Sequence, residues 1–309
     1  MTSVAGTAIT YTPSVIADQL VSSLLTDQSQ QAMLEEQLAS GNRVNVPSDN
    51  PAAAADILQL NASSVRAQQY SSNANDGLGW LALGNSTVNQ SLSVLQQARQ
   101  TVLALSGANL SGQGTALTGM ATQIGSYRQE LINLANTTYA GQAIFAGTGN
   151  VSAAYDSNGN FIGGGGAPTR TVGPGVQVPV GVTGPAIFGS GTSGLLGSNG
   201  VLAQIQQDIT TGTSASLNQA ETTDLQALDT AITQVESQAG ILGVSYQRMQ
   251  AFSQQATDTM AALQSQISGE DSVNIAQVTT QLTQTQQSYQ AALWATAQLQ
   301  QQSLVQFLS

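Results

Sequence analysis

Three kinds of short constellation in this sequence have the residue types that chemistry needs. Glu35-Glu36 and Glu270-Asp271 are adjacent carboxylate pairs, Asp156-x-Asn158-x-Asn160 has the spacing that opens a calcium loop, and Gly163 to Gly166 is a glycine run of the sort that cradles phosphate. Each lacks a specific requirement. General acid–base catalysis needs carboxylates converging on one pocket, whereas adjacent residues on a helix point apart. The pairs therefore read as a solvated face or a helix end. A calcium loop would continue with Gly at 161 and an acid at 167, where this chain has Phe161 and Ala167. Asn158-Gly159 flanked by aromatic and apolar residues reads instead as a hairpin turn over Tyr155–Ile162. No Lys-Ser/Thr follows the glycine run, so it does not make a phosphate loop.

The missing residue types bear on function as strongly. The 309 residues include no His and no Cys. The commonest general base, the commonest metal ligand, the thiolate nucleophile and the disulfide are all unavailable. The reading is a non-enzymatic chain with no cofactor and no metal. All six basic residues are single arginines, namely Arg43, Arg66, Arg99, Arg128, Arg170 and Arg248, and the formal net charge is −11. No basic face for nucleic acid can be built from them, and an acidic chain is repelled by anionic lipid. Neither nucleic acid nor membrane is expected as a partner. Met1–Tyr11 lacks the basic and apolar runs of a Sec-type signal, and no stretch has the length of a membrane span. Taken alone, those features suggest a cytoplasmic protein.

The elements follow from composition and period. Residues 14 to about 145 and 200–309 are rich in Gln, Ala, Ser and Leu, while 147–200 is dominated by Gly, Val, Pro and Thr. The outer parts predict helix, and the middle predicts short strands with turns, with Val172, Val176, Val178, Val180 and Val182 in a small antiparallel unit. Leu225, Leu228, Ile232, Val235, Ala239, Leu242, Tyr246, Met249, Ser253, Ala256, Met260, Leu263 and Ile267 alternate steps of three and four, a sustained heptad seam. Its register breaks at Gly269–Asp271. A second seam then runs through Ile275, Val278, Leu282, Thr285, Tyr289 and Ala292/Leu293 toward Leu299, ending on Leu304, Val305, Phe307 and Leu308.

Earlier in the chain, Val88, Leu92, Leu95, Arg99 and Val102 form one stripe. Leu117, Met120/Ala121, Ile124, Arg128, Leu131 and Leu134/Ala135 form another, after a Gly-containing turn at Ser106–Thr115. Near the start, Leu20, Leu24, Leu34 and Leu38 make a sparse seam with a polar gap at Asp27–Gln31. Helices as weakly seamed as the two terminal ones need partners. Between Leu38 and the next helix, Gly41 is placed to end one helix in the left-handed region, and Asn50-Pro51 to cap and start another.

Several of these residues resemble a known family. Leu38-Ala39-Ser40-Gly41-Asn42-Arg43-Val44-Asn45-Val46-Pro47-Ser48-Asp49-Asn50-Pro51-Ala52 resembles the N-terminal signature of the bacterial flagellin superfamily, and Gln287–Leu293 through Ser303–Leu308 resembles its C-terminal helix. Leu131 to Gly147, with Asn136-Thr137 and Ile144-Phe145-Ala146-Gly147, is similar to the branch of that superfamily that joins hook to filament. Gly173–Val176, Val182–Gly184 and Ile187–Gly189 are similar to its small β domain.

The resemblance implies a mainly α fold, an elongated flagellin-like antiparallel bundle or coiled coil of the N- and C-terminal segments with a small β-rich inserted domain. The expected division is 1–40 with 270–309 as a terminal coiled coil, 41–146 with 201–269 as a helical bundle, and 147–200 as the insert. It further implies a structural subunit, exported unfolded by the flagellar type III pathway and placed outside the cell. The expected partners are copies of itself in a ring, hook-associated protein 1, flagellin and an export chaperone. Leu20, Leu24, Leu34, Leu38, Ile275, Val278, Leu282, Tyr289, Leu293, Leu299, Leu304, Phe307 and Leu308 are the expected assembly residues. A short flagellin that forms the filament itself is the alternative within this class. A carboxylate hydrolase would need convergent acids, and a surface adhesin would rest on the β insert alone.

Overall fold

The computed structural model describes residues 13–106, 114–149 and 151–308, leaving aside the side chains of 13, 14, 16, 17, 106 and 299–308. The chain is mainly helical: α1 (Pro13–Ser40), α2 (Pro51–Ser106), α3 (Gly114–Ala135), α4 (Gly184–Phe188), α5 (Val201–Thr211), α6 (Ser214–Gln219), α7 (Leu225–Asp271) and α8 (Ile275–Leu308). A π-helical turn, Ala220–Asp224, joins α6 to α7. The strands are short: β1 (Thr138–Tyr139) pairs with β2 (Gln142–Ala143), and β3 (Thr169–Gly173) with β4 (Val176–Pro179), both antiparallel. The chain forms two compact units, Met1–Ser64 with Ala261–Ser309, and Val65–Met260. The turn expected at Ser106–Thr115 falls largely on 107–113, outside the described residues.

In the second unit, α2 and α7 run antiparallel. Arg99 meets Asp229, and Asn75 Oδ1 accepts a hydrogen bond from Ser253 Oγ, so equal steps along the two helices bring partners together. Every member of the Leu225–Ile267 seam is buried or half-buried. Leu228, Val235, Leu242, Met249 and Ala256, at successive heptad positions, are buried. Full burial of one such Leu or Met stabilises by about 1.5–3 kcal/mol. The seam therefore outweighs any surface ion pair beside it, which contributes about 1 kcal/mol at most. The Val88–Val102 stripe faces the same core, and Leu117, Ala121, Ile124 and Leu131 of α3 bury their side chains along with Leu202, Ile205 and Ile209 of α5, the helix packed on it.

Helix does not continue to residue 145. α3 stops at Ala135, and Ala140 and Gly141 both take positive φ, 48° and 83°, in the tight turn between β1 and β2. Positive φ at both central residues is the geometry that short hairpins favour. Asn136 then ties this corner to the insert: its Oδ1 accepts from the backbone N–H groups of Ala154 and Tyr155, both at 2.8 Å, and its Nδ2 donates to Tyr155 O.

Around that tie, Tyr155, Phe161, Phe145 and Phe188 meet edge to face, an arrangement that adds about 0.5–1.5 kcal/mol per pair to area burial. The Tyr155 phenol donates to Gly189 O, and burial pushes its pKa up.

The expected hairpin at Tyr155–Ile162 is a tight turn closed by one bridge, Tyr155 to Phe161. Asp156 Oδ1 accepts from the backbone N–H groups of Asn158 and Asn160. Those bonds, Asn160 foremost, hold the Asp156 carboxyl below its ordinary range. Gly159 sits at φ 81°, and a Cβ there would lie 1.8 Å from Leu196 O, so no other residue fits.

Asn136→Ala would leave three buried backbone groups without partners. The expected loss is about 2–4 kcal/mol, read as a lowered urea midpoint with unchanged slope. A loss under about 0.5 kcal/mol would mean that the aromatic cluster, and not Asn136, fixes the insert.

Candidate assembly surface in the terminal unit

The stretch between α1 and α2 is fixed residue by residue. Gly41, at φ 73°, ends α1, with its N–H donating to Gln37 O at 2.9 Å. Asp49 Oδ2 accepts from the N–H groups of Asn45 and Val46 and holds the turn. Asn50 caps α2, its Oδ1 accepting from Ala53 N–H at 3.1 Å, and Pro51 opens the helix where its missing N–H is harmless.

The break between α7 and α8 repeats this chemistry. Asn274 caps α8 through Gln277 N–H.

These two breaks bind one another. Arg43 N–H donates to Asp271 O, Val44 N–H donates to Asp271 Oδ1 at 3.2 Å, and Val273 N–H donates to Gly41 O. Asn42 and Ser272 form an isolated antiparallel bridge. From within α1, Gln37 Nε2 donates to Arg43 O at 2.9 Å. The Arg43 guanidinium reaches Glu270 at 3.0 Å, with both side chains nearly half exposed. The pair Glu270-Asp271 thus lies at a helix end, where it serves as a binding edge for the signature segment. Glu35 is exposed and accepts from Gln31 Nε2.

Joined at these ends, α1 and α8 lie antiparallel. Leu34 and Val278, 2% and 6% exposed, are the buried apolar members of the seam, with Gln37 and Thr285 buried beside them. Leu20, Leu24, Leu38, Leu282 and Tyr289 are half-buried. Ile275 and Leu293 depart from the expected seam and face solvent. Ile275 is the first residue of α8, and Ala292 takes the inward position that Leu293 shares in the sequence pattern. The side chains of Leu299, Leu304, Phe307 and Leu308 lie outside the described residues.

Sequence reasoning passed over Val21 and Leu25, exposed one residue round from Leu20 and Leu24, and Trp294, 78% exposed next to Leu293. By the register set at Asn42–Ser272, Val21 stands about level with Leu293. The helix pair therefore leaves Val21, Leu25, Leu293 and Trp294 as large apolar side chains in water. Trp294 is the signal that was available: a large aromatic on a mostly Gln/Thr helix, off the inward frame.

Residues 14–150 match the bacterial flagellin N-terminal helical region, and residues 225–308 match the bacterial flagellin C-terminal helical region. The chain belongs to the bacterial flagellin family. Among curated members of flagellar families, it is similar to flagellar hook-associated protein 3 of Salmonella typhimurium, 31% identical over 57% of this chain and 56% of that one. It is 29% identical to the Escherichia coli protein of the same name over 59% and 58%. A Listeria monocytogenes flagellin is 32% identical over 34% and 36%.

The chain thus spans little more than half the length of the hook-associated relatives. A solved structure from Vibrio parahaemolyticus, described as a flagellar hook-associated protein, shares the fold with TM-score 0.64 and 21% identity over 72% of this chain and all of that one. Bacillus cereus FlgL does so with TM-score 0.56 and 18% identity over 68% and 99%. As a flagellin-family chain, it has a fold dominated by helices from its two ends with a small β region between, in line with the expected class.

Asp271→Ala would remove the acceptor for Val44 N–H and should lower stability of the terminal unit by about 1 kcal/mol. Arg43→Ala removes only a solvent-screened pair and should cost about 0.5 kcal/mol or less. Urea unfolding followed by far-ultraviolet dichroism tests the order; equal or reversed losses would place the binding edge in the ion pair instead.

Proposed function

We propose that this chain is a structural subunit of the bacterial flagellum, set at the junction between hook-associated protein 1 and the flagellin filament. The observation that carries the reading is the set of exposed apolar side chains on the α1–α8 pair, Val21, Leu25, Leu293 and Trp294, on helices of a flagellin-family chain. A helix pair that keeps such residues in water has surface left for neighbours. The stretch similar to hook-associated protein 3 is also longer than the stretches similar to flagellins, 178 residues against 104 to 114. That favours the junction over the filament.

On this reading the chain has no catalytic role, assembles with copies of itself in a ring, and leaves the cell unfolded by the type III route. An export chaperone shields α8 before export. Among the described residues, no helix is long and apolar enough to cross a membrane. The division proposed for the assembled subunit is a terminal coiled coil (1–40 with 270–309), a bundle (41–146 with 201–269) and an insert (147–200).

Leu20, Leu24, Leu34, Leu38, Val278, Leu282 and Tyr289 hold the pair together. Ile275, Leu293, Leu299, Leu304, Phe307 and Leu308 are proposed for contacts with neighbours.

The test uses the full chain in cells lacking their own junction protein. The intact chain should restore attached filaments, and deletion of residues 1–38 or 275–309 should abolish this. Leu34→Asp should lower the helix content of the purified chain. Trp294→Ser should leave it unchanged while reducing filament attachment several-fold. Restoration by the truncated chains overturns the proposal, and long filaments formed by the purified chain alone would establish the flagellin reading instead.

A further inference from the structure

One pair of acids takes no part in the interactions above. Asp208 lies on α5, and Asp224 closes the π turn that feeds α7. α5 packs on the π turn, each of the two acids has a carboxylate oxygen buried there, and Asp208 acts directly on Asp224. Asp224 is 3% exposed, and neither Asp208 Oδ2 nor Asp224 Oδ2, both shut off from solvent, receives a hydrogen bond from an N–H or O–H donor among the described residues. Two carboxylates facing each other without a donor repel, and a single proton between them turns that repulsion into a strong hydrogen bond.

No countercharge is available nearby. On α3, which packs on α5, Arg128 donates to the carbonyl oxygens of Leu196 and Asn158, Glu130 is exposed, and Tyr127 OH accepts from Gln123. α6 has no charged residue. The π turn adds Glu221, and the start of α7 adds Asp229, which holds Arg99. Among these groups, Asp208 is the one that acts on Asp224. The π turn itself is a local departure from the helix ladder, a feature found at places where a helix must adjust.

We propose that Asp208 and Asp224 share one proton and form a latch between α5 and the π turn, so that the head of α7 is held more firmly in acid than at neutral pH. Burial first, and the neighbouring Asp208 second, push the Asp224 carboxyl up to about 6, whereas an unfolded Asp titrates near ~4. A raised carboxyl binds its proton more tightly in the folded state. The contribution of the pair is therefore complete below about pH 4 and is lost as the pH rises through about 6. The assembly reading plays no part in this inference, so either can fail without the other.

Two measurements on the full chain test it. Infrared difference spectra should show a protonated carboxyl band at pH 5 that disappears by pH 7.5 and is missing from Asp224→Asn. Thermal unfolding of the wild type should fall by about 5 °C between pH 4.5 and 7.5 relative to Asp224→Asn and Asp208→Asn. Glu236→Gln, an equal change of charge at an exposed site on α7, should keep the wild-type profile. The proposal is overturned if the wild type lacks the protonated carboxyl at pH 5, a result that does not depend on whether the variants fold. It is also overturned if wild type and both Asn variants share one pH profile.

Discussion

The terminal unit depends on one set of contacts, the hydrogen bonding of two chain breaks to each other. Segment 41–50 interrupts the helices between α1 and α2, and 272–274 interrupts them between α7 and α8. Each break would otherwise expose unsatisfied backbone groups at the helix ends. Here the groups satisfy one another: Asp271 accepts from Arg43 and Val44, and Val273 donates to Gly41. The contact joins residues 227 apart in sequence. Forming it brings the two ends of the chain side by side, and the pairing of α1 with α8 then needs little further ordering.

That division of labour explains how sparse the terminal seam can be. Between Leu34 and the start of α1 the inward positions include Asp27 and Gln31, and across from them α8 offers Thr285 and Gln286. Such a seam buries too little apolar area to form from isolated helices. Anchored at one end by the breaks, it needs only to continue a geometry already fixed. The same sparseness leaves Val21, Leu25 and Trp294 in water. A seam rich enough to make the pair self-sufficient would draw these residues inward. A helix pair that is firm at its anchored end and keeps large apolar side chains in water suits association with neighbours.

Legibility in the sequence followed the range of the forces involved. The α7 seam could be read in full because a heptad repeat is a local pattern, and burial reproduces it from Leu225 to Ile267. The Gly41 and Asn50-Pro51 breaks were legible for the same reason, since each residue caps its own helix. The partners of those breaks were not legible. Nothing beside Asp271 in the chain indicates that Val44 lies against it, and an adjacent acidic pair reads equally well as solvated surface. Asn136 likewise looks like an ordinary polar residue at a helix end, although it satisfies three backbone groups of the insert. Asp208 and Asp224 are separated by a helix and a π turn, and only the fold places them together. At Ala292/Leu293 a 3–4 repeat permits either of two neighbours, and Ala292 is the half-buried one.

The few charged residues then acquire a common explanation. Arg99 to Asp229 at 2.6 Å and Arg170 to Asp76 at 2.7 Å each tie together the two elements they join. In the second pair, the Arg170 guanidinium also stacks over Trp80. None of these pairs is buried enough to contribute much stability. Their effect is on placement, since each brings one residue of one element against one residue of the other. In a chain with 7% charged residues, burial supplies the stability, and single arginines tie particular elements together.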